Sequence, residues 1–229
     1  MPTDATRIQA VIFDLDDTLY PERDYVRSGY AAVGRHLRKE LSSGEAFEDW
    51  LWGRFCTGRA DRAFDALGRH FQLHLSQGRI AELVKIYREH RPCIKPFPGM
   101  VELLGRLHAT RRLGLLSDGF LPAQRLKLQA LKLERFFDAV VFTEEMGRRF
   151  WKPSPAGFER IGELLGIPHE RCAYVADNAG KDFQAPNALG WRTIQVRRPG
   201  QIHADQAAAE GGQPQAIVRL PGELHEALL

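Results

Sequence analysis

The stretch VIFDLDDTLY, Val11 to Tyr20, runs an apolar segment straight into three carboxylates, Asp14, Asp16 and Asp17. Its first half has the length and β-branched character of a buried strand. Like charges this close repel one another, and an unpaired carboxylate removed from water is costly. A cation is therefore expected at this point. Side chains two apart on an extended segment share a face, so Asp14 and Asp16 should point together into a crevice. Leu15 should turn to the core, and Asp17 with Thr18 belongs to the following turn.

Similar apolar runs recur along the chain: LGLLSD before Gly119, DAVVFT before Glu144, CAYVAD before Asn178 and RTIQV before Arg197. Alternating with helix-length segments, they predict βαβ units and an α/β fold: a doubly wound, Rossmann-like parallel sheet. In such sheets the binding crevice lies at the carboxyl ends of the strands, so the polar ends of the first four runs should converge. Residues 21–91 break the rhythm. They carry no strand-like run and read as several amphipathic helices separated by Gly and Ser, an inserted helical module between the core segments 1–20 and 92–229. KPFPGM marks the return, with Gly99 opening the next helix. ADQAAAEGGQPQ reads as a loop before a last strand, AIVRL, and a terminal helix.

Composition narrows the function classes. The chain has 229 residues, is 44% hydrophobic and carries a net charge of only +3, enough for a sizeable core. Its basic residues are scattered, so neither nucleic acid nor a membrane is expected as partner. No apolar run reaches membrane-span length, and MPTDATRIQA lacks the pattern of a secretory signal. Three widely spaced cysteines, Cys56, Cys93 and Cys172, suggest neither a disulfide framework nor a zinc site. A cytoplasmic protein is the expectation; the pattern does not choose between monomer and oligomer. His70 and His74, one turn apart, lack a third ligand and read as a helix face. Trp50, Trp52 and Phe55 suit the packing of the module or its substrate face. No phosphate-binding GxxxxGK[ST] or dinucleotide GxGxxG is present.

Four strand ends carry chemistry-bearing groups. Asp14 and Asp16 could divide nucleophilic and acid–base roles round Mg²⁺, which favours a few carboxylates plus water and phosphate oxygens. Ser117, with the backbone N–H groups of Asp118 and Gly119, could cradle an anion. Lys152 stands before Pro153 and Pro155, which predict an extended lead into the helix AGFERIGELLG. Asp177 ends the fourth run, with Asp182 five residues on. A turn, a surface lysine or a helix cap would explain each of these alone.

Taken in order, they resemble the haloacid dehalogenase superfamily, specifically its phosphatases. DLDDT is similar to DxDxT, LLSDG to the strand ending in Ser or Thr, KP to the lysine motif and ADNAGKD to the terminal acidic motif. The inserted module resembles that superfamily's helical cap. The resemblance implies that Asp14 attacks phosphorus, that Asp16 protonates the leaving alcohol and then activates water, and that Ser117 and Lys152 hold the phosphoryl group. It also implies Mg²⁺ on Asp14, the main-chain carbonyl of Asp16, and Asp177, supported by Asp182, Asn178 and Thr18. The substrate would be a small phosphate ester, a sugar phosphate or nucleoside monophosphate. Asp118 stands where many relatives have Asn, and its carboxylate is tolerable beside a phosphate only if it turns away. Ala176 replaces a common Gly. Dehalogenases do not need Asp16 and phosphonate hydrolases lack it. A phosphomutase, or a non-catalytic binding protein on the same scaffold, remain the alternatives.

Overall fold

The computed structural model describes residues 8–219 and 221–228. Six strands, β1 (Ala10–Phe13), β2 (Arg112–Ser117), β3 (Ala139–Phe142), β4 (Cys172–Ala176), β5 (Arg192–Val196) and β6 (Ala216–Val218), form one sheet in the order β3-β2-β1-β4-β5-β6. All five pairings are parallel. β1 lies at the centre, where the winding direction reverses, and the carboxyl end of such a strand faces the crevice of a doubly wound sheet.

The alternation of side chains along β1 explains why the strand reads as apolar throughout. Val11 and Phe13 join one cluster with Leu113, Leu115, Val175 and Ile194, under helices α5 (Met100–His108), α6 (Ala123–Leu131) and α9 (Pro221–Ala227). Ala10 and Ile12 join a second with Tyr174, Phe158, Ile161 and Trp191, under α7 (Ala156–Leu165) and α8 (Gln184–Ala188). Both faces of a parallel sheet are covered by helices, so neither can be polar.

Between β1 and α5 lie α1 (Glu22–Leu41), α2 (Phe47–Cys56), α3 (Ala63–His70) and α4 (Gln77–Glu89). Val26, Tyr30, Val33 and Leu37 follow the helical spacing along α1 and pack with Phe47, Leu51, Leu67 and Leu83 into a third cluster. Trp50 stacks on His70 within this module, and Trp52 lies beneath Arg23 and Arg27. These aromatic residues therefore serve the module's own packing. Ser28 on α1 ties the module to the returning chain: its hydroxyl lies 3.0 Å from His90 Nε2 and accepts from Cys93 N at 2.8 Å. Among the described residues no helix is long and apolar enough to cross a membrane.

The stretch between β5 and β6 lacks regular structure but is anchored to the first strand end. Asp17, in the left-handed region at φ 51, accepts from Glu22 N at 2.8 Å through one oxygen and from Ile202 N at 2.6 Å through the other. Its carbonyl accepts from Gln201 Nε2 at 2.8 Å. One turn residue thus holds both the start of α1 and the loop after β5.

Candidate active site

Asp14, Asp16, Asp118, Gly119, Asp177 and Asn178 line one cavity of about 330 Å³ at the carboxyl ends of the strands. Ser117 and Lys152 are buried behind this wall, and Leu15 is in the core. Asp14 follows β1 directly, its N–H donating to Val175 O at 2.9 Å. The sheet ladder therefore fixes where its carboxylate stands.

Lys152 Nζ reaches Asp14 Oδ1 at 2.5 Å, Asp182 Oδ1 at 2.7 Å and the Tyr174 hydroxyl at 3.0 Å. Burial alone would push the lysine towards neutrality, but Asp14 and Asp182 outweigh it and hold the ammonium charged. Burial pushes Asp14 up to about 7, against the pull of Lys152 and with the repulsion of Asp182. Asp182 Oδ2 also accepts from Asn178 N at 3.0 Å, and Asn178 Oδ1 accepts from Gly180 N at 3.0 Å. These two residues form the turn that aims Asp177. The chain at Lys152 is a tight turn rather than the extended lead read from its prolines, with Ser154 N donating to Trp151 O at 3.0 Å. That turn presents Lys152 N–H to Asp118 Oδ2 at 3.1 Å.

Asp16 has a separate set of partners. Its oxygens take Lys127 Nζ at 2.8 and 2.9 Å, Gln124 Nε2 at 2.9 Å, and the Tyr20 hydroxyl. Burial raises its pKa, but Lys127 and the hydrogen bonds prevail and hold the carboxyl below its ordinary range. Gln124 also donates to Ser117 Oγ and to Asp118 O, both at 2.7 Å. It thereby joins the first two strand ends. The Asp118 carboxylate turns away to Thr143 Oγ1 at 2.7 Å and Lys181 Nζ at 3.5 Å, which removes the expected conflict with a bound anion.

Gly119 has φ +133, and a Cβ there would stand 2.8 Å from Gln124 Cδ. Gly119→Ala is expected to displace Gln124 from Asp16 and Ser117 and to cost about 1–3 kcal/mol of stability, as a residue forced into unfavourable backbone does. Urea denaturation would measure the loss, and turnover should fall with it.

The oxygen donors suit a hard divalent cation. Asp177 Oδ2 is buried without a hydrogen-bond partner, and burial with the charges of Asp182 and Asp14 drives the carboxyl well above its usual range. An orphaned buried carboxylate oxygen is a large penalty that a bound cation removes. Among the described residues no three His, Cys, Asp or Glu side chains are placed to hold a metal ion by themselves. The candidate set instead combines the Asp14 and Asp177 carboxylates with the main-chain carbonyl of Asp16. Thr18 Oγ1 is likewise buried without a partner.

Several lining residues lie outside the motifs: Glu22, Tyr25, Tyr87 and Arg88 from the helical module, Phe120, Trp151 and His203 from core loops, and Lys127. Gln124 and Lys127, three residues apart on α6, are both buried with Ala123, Leu128 and Leu131, a placement that the helix's own sequence pattern does not signal. Lys181 lay inside the fourth motif as read. Of the module's tyrosines, Tyr25 and Tyr87 line this cavity. Tyr30 and Arg62 line a separate pocket within the module.

Comparison with known proteins gives the family. Residues 8–190 match the family model described as "Hydrolase: haloacid dehalogenase-like hydrolase". The chain is 31% identical to a glyceraldehyde 3-phosphate phosphatase of Methanopyrus kandleri, with 95% of each chain covered. It is 28% identical to the protein of the same name from Methanothermobacter thermautotrophicus, over 82% of this chain and 85% of that one. Among solved structures it resembles the putative hydrolase YfnB of Bacillus subtilis, with TM-score 0.67 and 20% identity over 97% of this chain and 99% of that one. Sheet order, motif order and family match agree: the chain belongs to the haloacid dehalogenase-like hydrolases.

Proposed function

We propose that this hydrolase is a Mg²⁺-dependent cytoplasmic phosphatase of a small phosphorylated metabolite, with residues 1–20 and 92–229 as catalytic core and 21–91 as a cap over the site. The observation that carries the reading is the pair of carboxylates on one cavity wall with separate partners. Asp14 is tied to Lys152, and Asp16 to Lys127, Gln124 and Tyr20. A nucleophile and an acid–base group require such different settings, and a dehalogenase would need only the first. Unpaired Cys56, Cys93 and Cys172 suit a reducing compartment.

An Asp14 oxygen attacks phosphorus, forming an aspartyl-phosphate as the bond to the ester oxygen breaks. Asp16, ionised beside Lys127 in the free site, takes up a solvent proton in the complex with the dianionic ester, whose charge favours the neutral carboxyl. It gives that proton to the ester oxygen, releasing the alcohol. Water then attacks phosphorus while Asp16 takes its proton, which frees inorganic phosphate and restores Asp14. Lys152 and Ser117 hold the transferring group, with the Asp118 and Gly119 N–H groups beside them. Asp182 keeps Lys152 in place, while Asn178 and Thr18 support the strand ends. Mg²⁺ on Asp14, Asp177 and the Asp16 carbonyl would offset the negative charge that a dianionic ester otherwise meets.

A cavity of about 330 Å³ suits a small metabolite, and the names of the relatives favour a triose phosphate. The test is phosphate release from a panel of triose, pentose and hexose phosphates, nucleoside monophosphates and phosphorylated acids. Glyceraldehyde 3-phosphate is expected among the best. EDTA should abolish turnover and added Mg²⁺ restore it. A folded protein releasing phosphate from none of them would overturn the reading, and an isomerised phosphate ester would identify a mutase.

A further inference from the structure

Lys127 is a buried ammonium outside every recognised motif. Its side chain is 6% exposed, and its Nζ meets both oxygens of Asp16, at 2.8 and 2.9 Å. The Tyr25 ring, from the first helix of the module, covers the ammonium at 4.1 Å. Asp16 is thus bound on one side by Lys127 and on others by Gln124 and Tyr20. A lysine seldom occupies such a place without a compensating role, because burying it costs solvation and rotamer freedom.

We propose that Lys127 is the positioning residue of the acid–base carboxyl, aiming Asp16 at the ester oxygen and balancing the charge left when its proton departs. This rests on the phosphatase reading above. In the first step the proton moves from Asp16 to the leaving oxygen as the P–O bond breaks, and the resulting carboxylate faces the ammonium of Lys127. In the second the proton of the attacking water returns to Asp16. Lys127 acts through the Asp16 carboxyl, whose two oxygens it meets. The Tyr25 contact means that the geometry of this carboxyl is shared between core and module.

A role exerted through Asp16 has a signature that a merely structural lysine lacks, because only a basic leaving group needs its proton. Release of the alcohol would be followed in a single turnover for two esters: 4-nitrophenyl phosphate, whose phenolate departs unprotonated, and glyceraldehyde 3-phosphate, whose alkoxide does not. Lys127→Met is expected to slow the alkyl ester about 100-fold or more, within the range of general acid catalysis, and the aryl ester by less than about tenfold. In an Asp16→Asn background the same substitution should change the alkyl rate by less than about twofold. Lys127→Arg, which keeps the charge, should restore the alkyl rate to within about tenfold of the unmodified enzyme.

Equal losses on the two esters, a full additional loss in the Asp16→Asn background, or an Arg variant as slow as the Met variant would each overturn the proposal. Should Lys127→Met fail to fold, the double variant leaves no unpaired charge behind, and with Lys127→Arg it still decides the question. A folded unmodified enzyme that cleaves neither these two esters nor any other of the panel would overturn the phosphatase reading, and this assignment with it. Where another alkyl phosphate of the panel is the better substrate, it takes the place of glyceraldehyde 3-phosphate in the comparison. Activity with the wrong pattern of losses would overturn this assignment alone.

Discussion

Asp14→Asn is expected to reduce phosphate release by about 10⁴-fold or more, the scale of removing a nucleophile, while the protein becomes more stable. The amide cannot attack phosphorus. Lys152 nevertheless keeps Asp182 at 2.7 Å and Tyr174 at 3.0 Å, so no ammonium is orphaned. One carboxylate also leaves a cluster in which Asp14, Asp177 and Asp182 repel. A gain of about 1–2 kcal/mol at neutral pH is in line with stabilising substitutions at strained functional sites. Its pH dependence has a definite sign. Burial raises Asp14 to about 7 from 3.8 in the unfolded chain, so the folded metal-free protein binds the extra proton between those values, and the carboxyl's penalty grows as pH rises from about 4 to 7. Urea melts at pH 4 and pH 7.5 in EDTA should show the Asn variant's advantage chiefly at the higher pH. An advantage independent of pH would contradict this account of Asp14.

Lys152→Met should have the opposite effect on stability and the same effect on turnover. The substitution leaves the Asp14 and Asp182 carboxylates facing each other in a site where the lysine side chain is 1% exposed and Asp182 fully buried. Removing one partner of a buried ion pair typically costs about 3–5 kcal/mol. Phosphate release should fall below detection, since nothing then offsets the charge of the transferring group. Asp14→Asn added to Lys152→Met should recover a large part of the lost stability and none of the activity. A Lys152→Met protein as stable as the unmodified one would show that the buried cluster is not held by this lysine.

The strands and their chemically loaded ends were legible because a parallel sheet buried on both faces leaves an unbroken apolar run, and each run ends abruptly in polar residues. The helical module was legible from the opposite pattern: Val26, Tyr30, Val33 and Leu37 repeat at helical spacing with no strand-like run between them. The environment of Asp16 was not. Lys127 is 111 residues away in the chain and sits on a helix whose charged and apolar residues look like an ordinary surface pattern. Only the docking of α6 turns Lys127 inward. The loop after β5 was equally silent, because Ile202 meets Asp17 through its main-chain N–H, a group that every residue but proline carries. The turn at Lys152 differs from the extended lead because its main chain closes on Trp151 and its N–H on Asp118, contacts that no local pattern encodes.

The central place of β1 has a consequence for the order in which the protein is made. Ala10 pairs with Arg112 on one side and with Cys172 on the other, so the strand that carries Asp14 emerges early from the ribosome and waits for its neighbours. Contacts this distant in the chain close slowly. Until β4 has docked, Asp14 lies at an open sheet edge, with neither Tyr174 nor Asp182 in place to fix its lysine. On the proposed mechanism a chain that ends before its fourth strand and the following turn lacks part of the site, and is expected to release no phosphate.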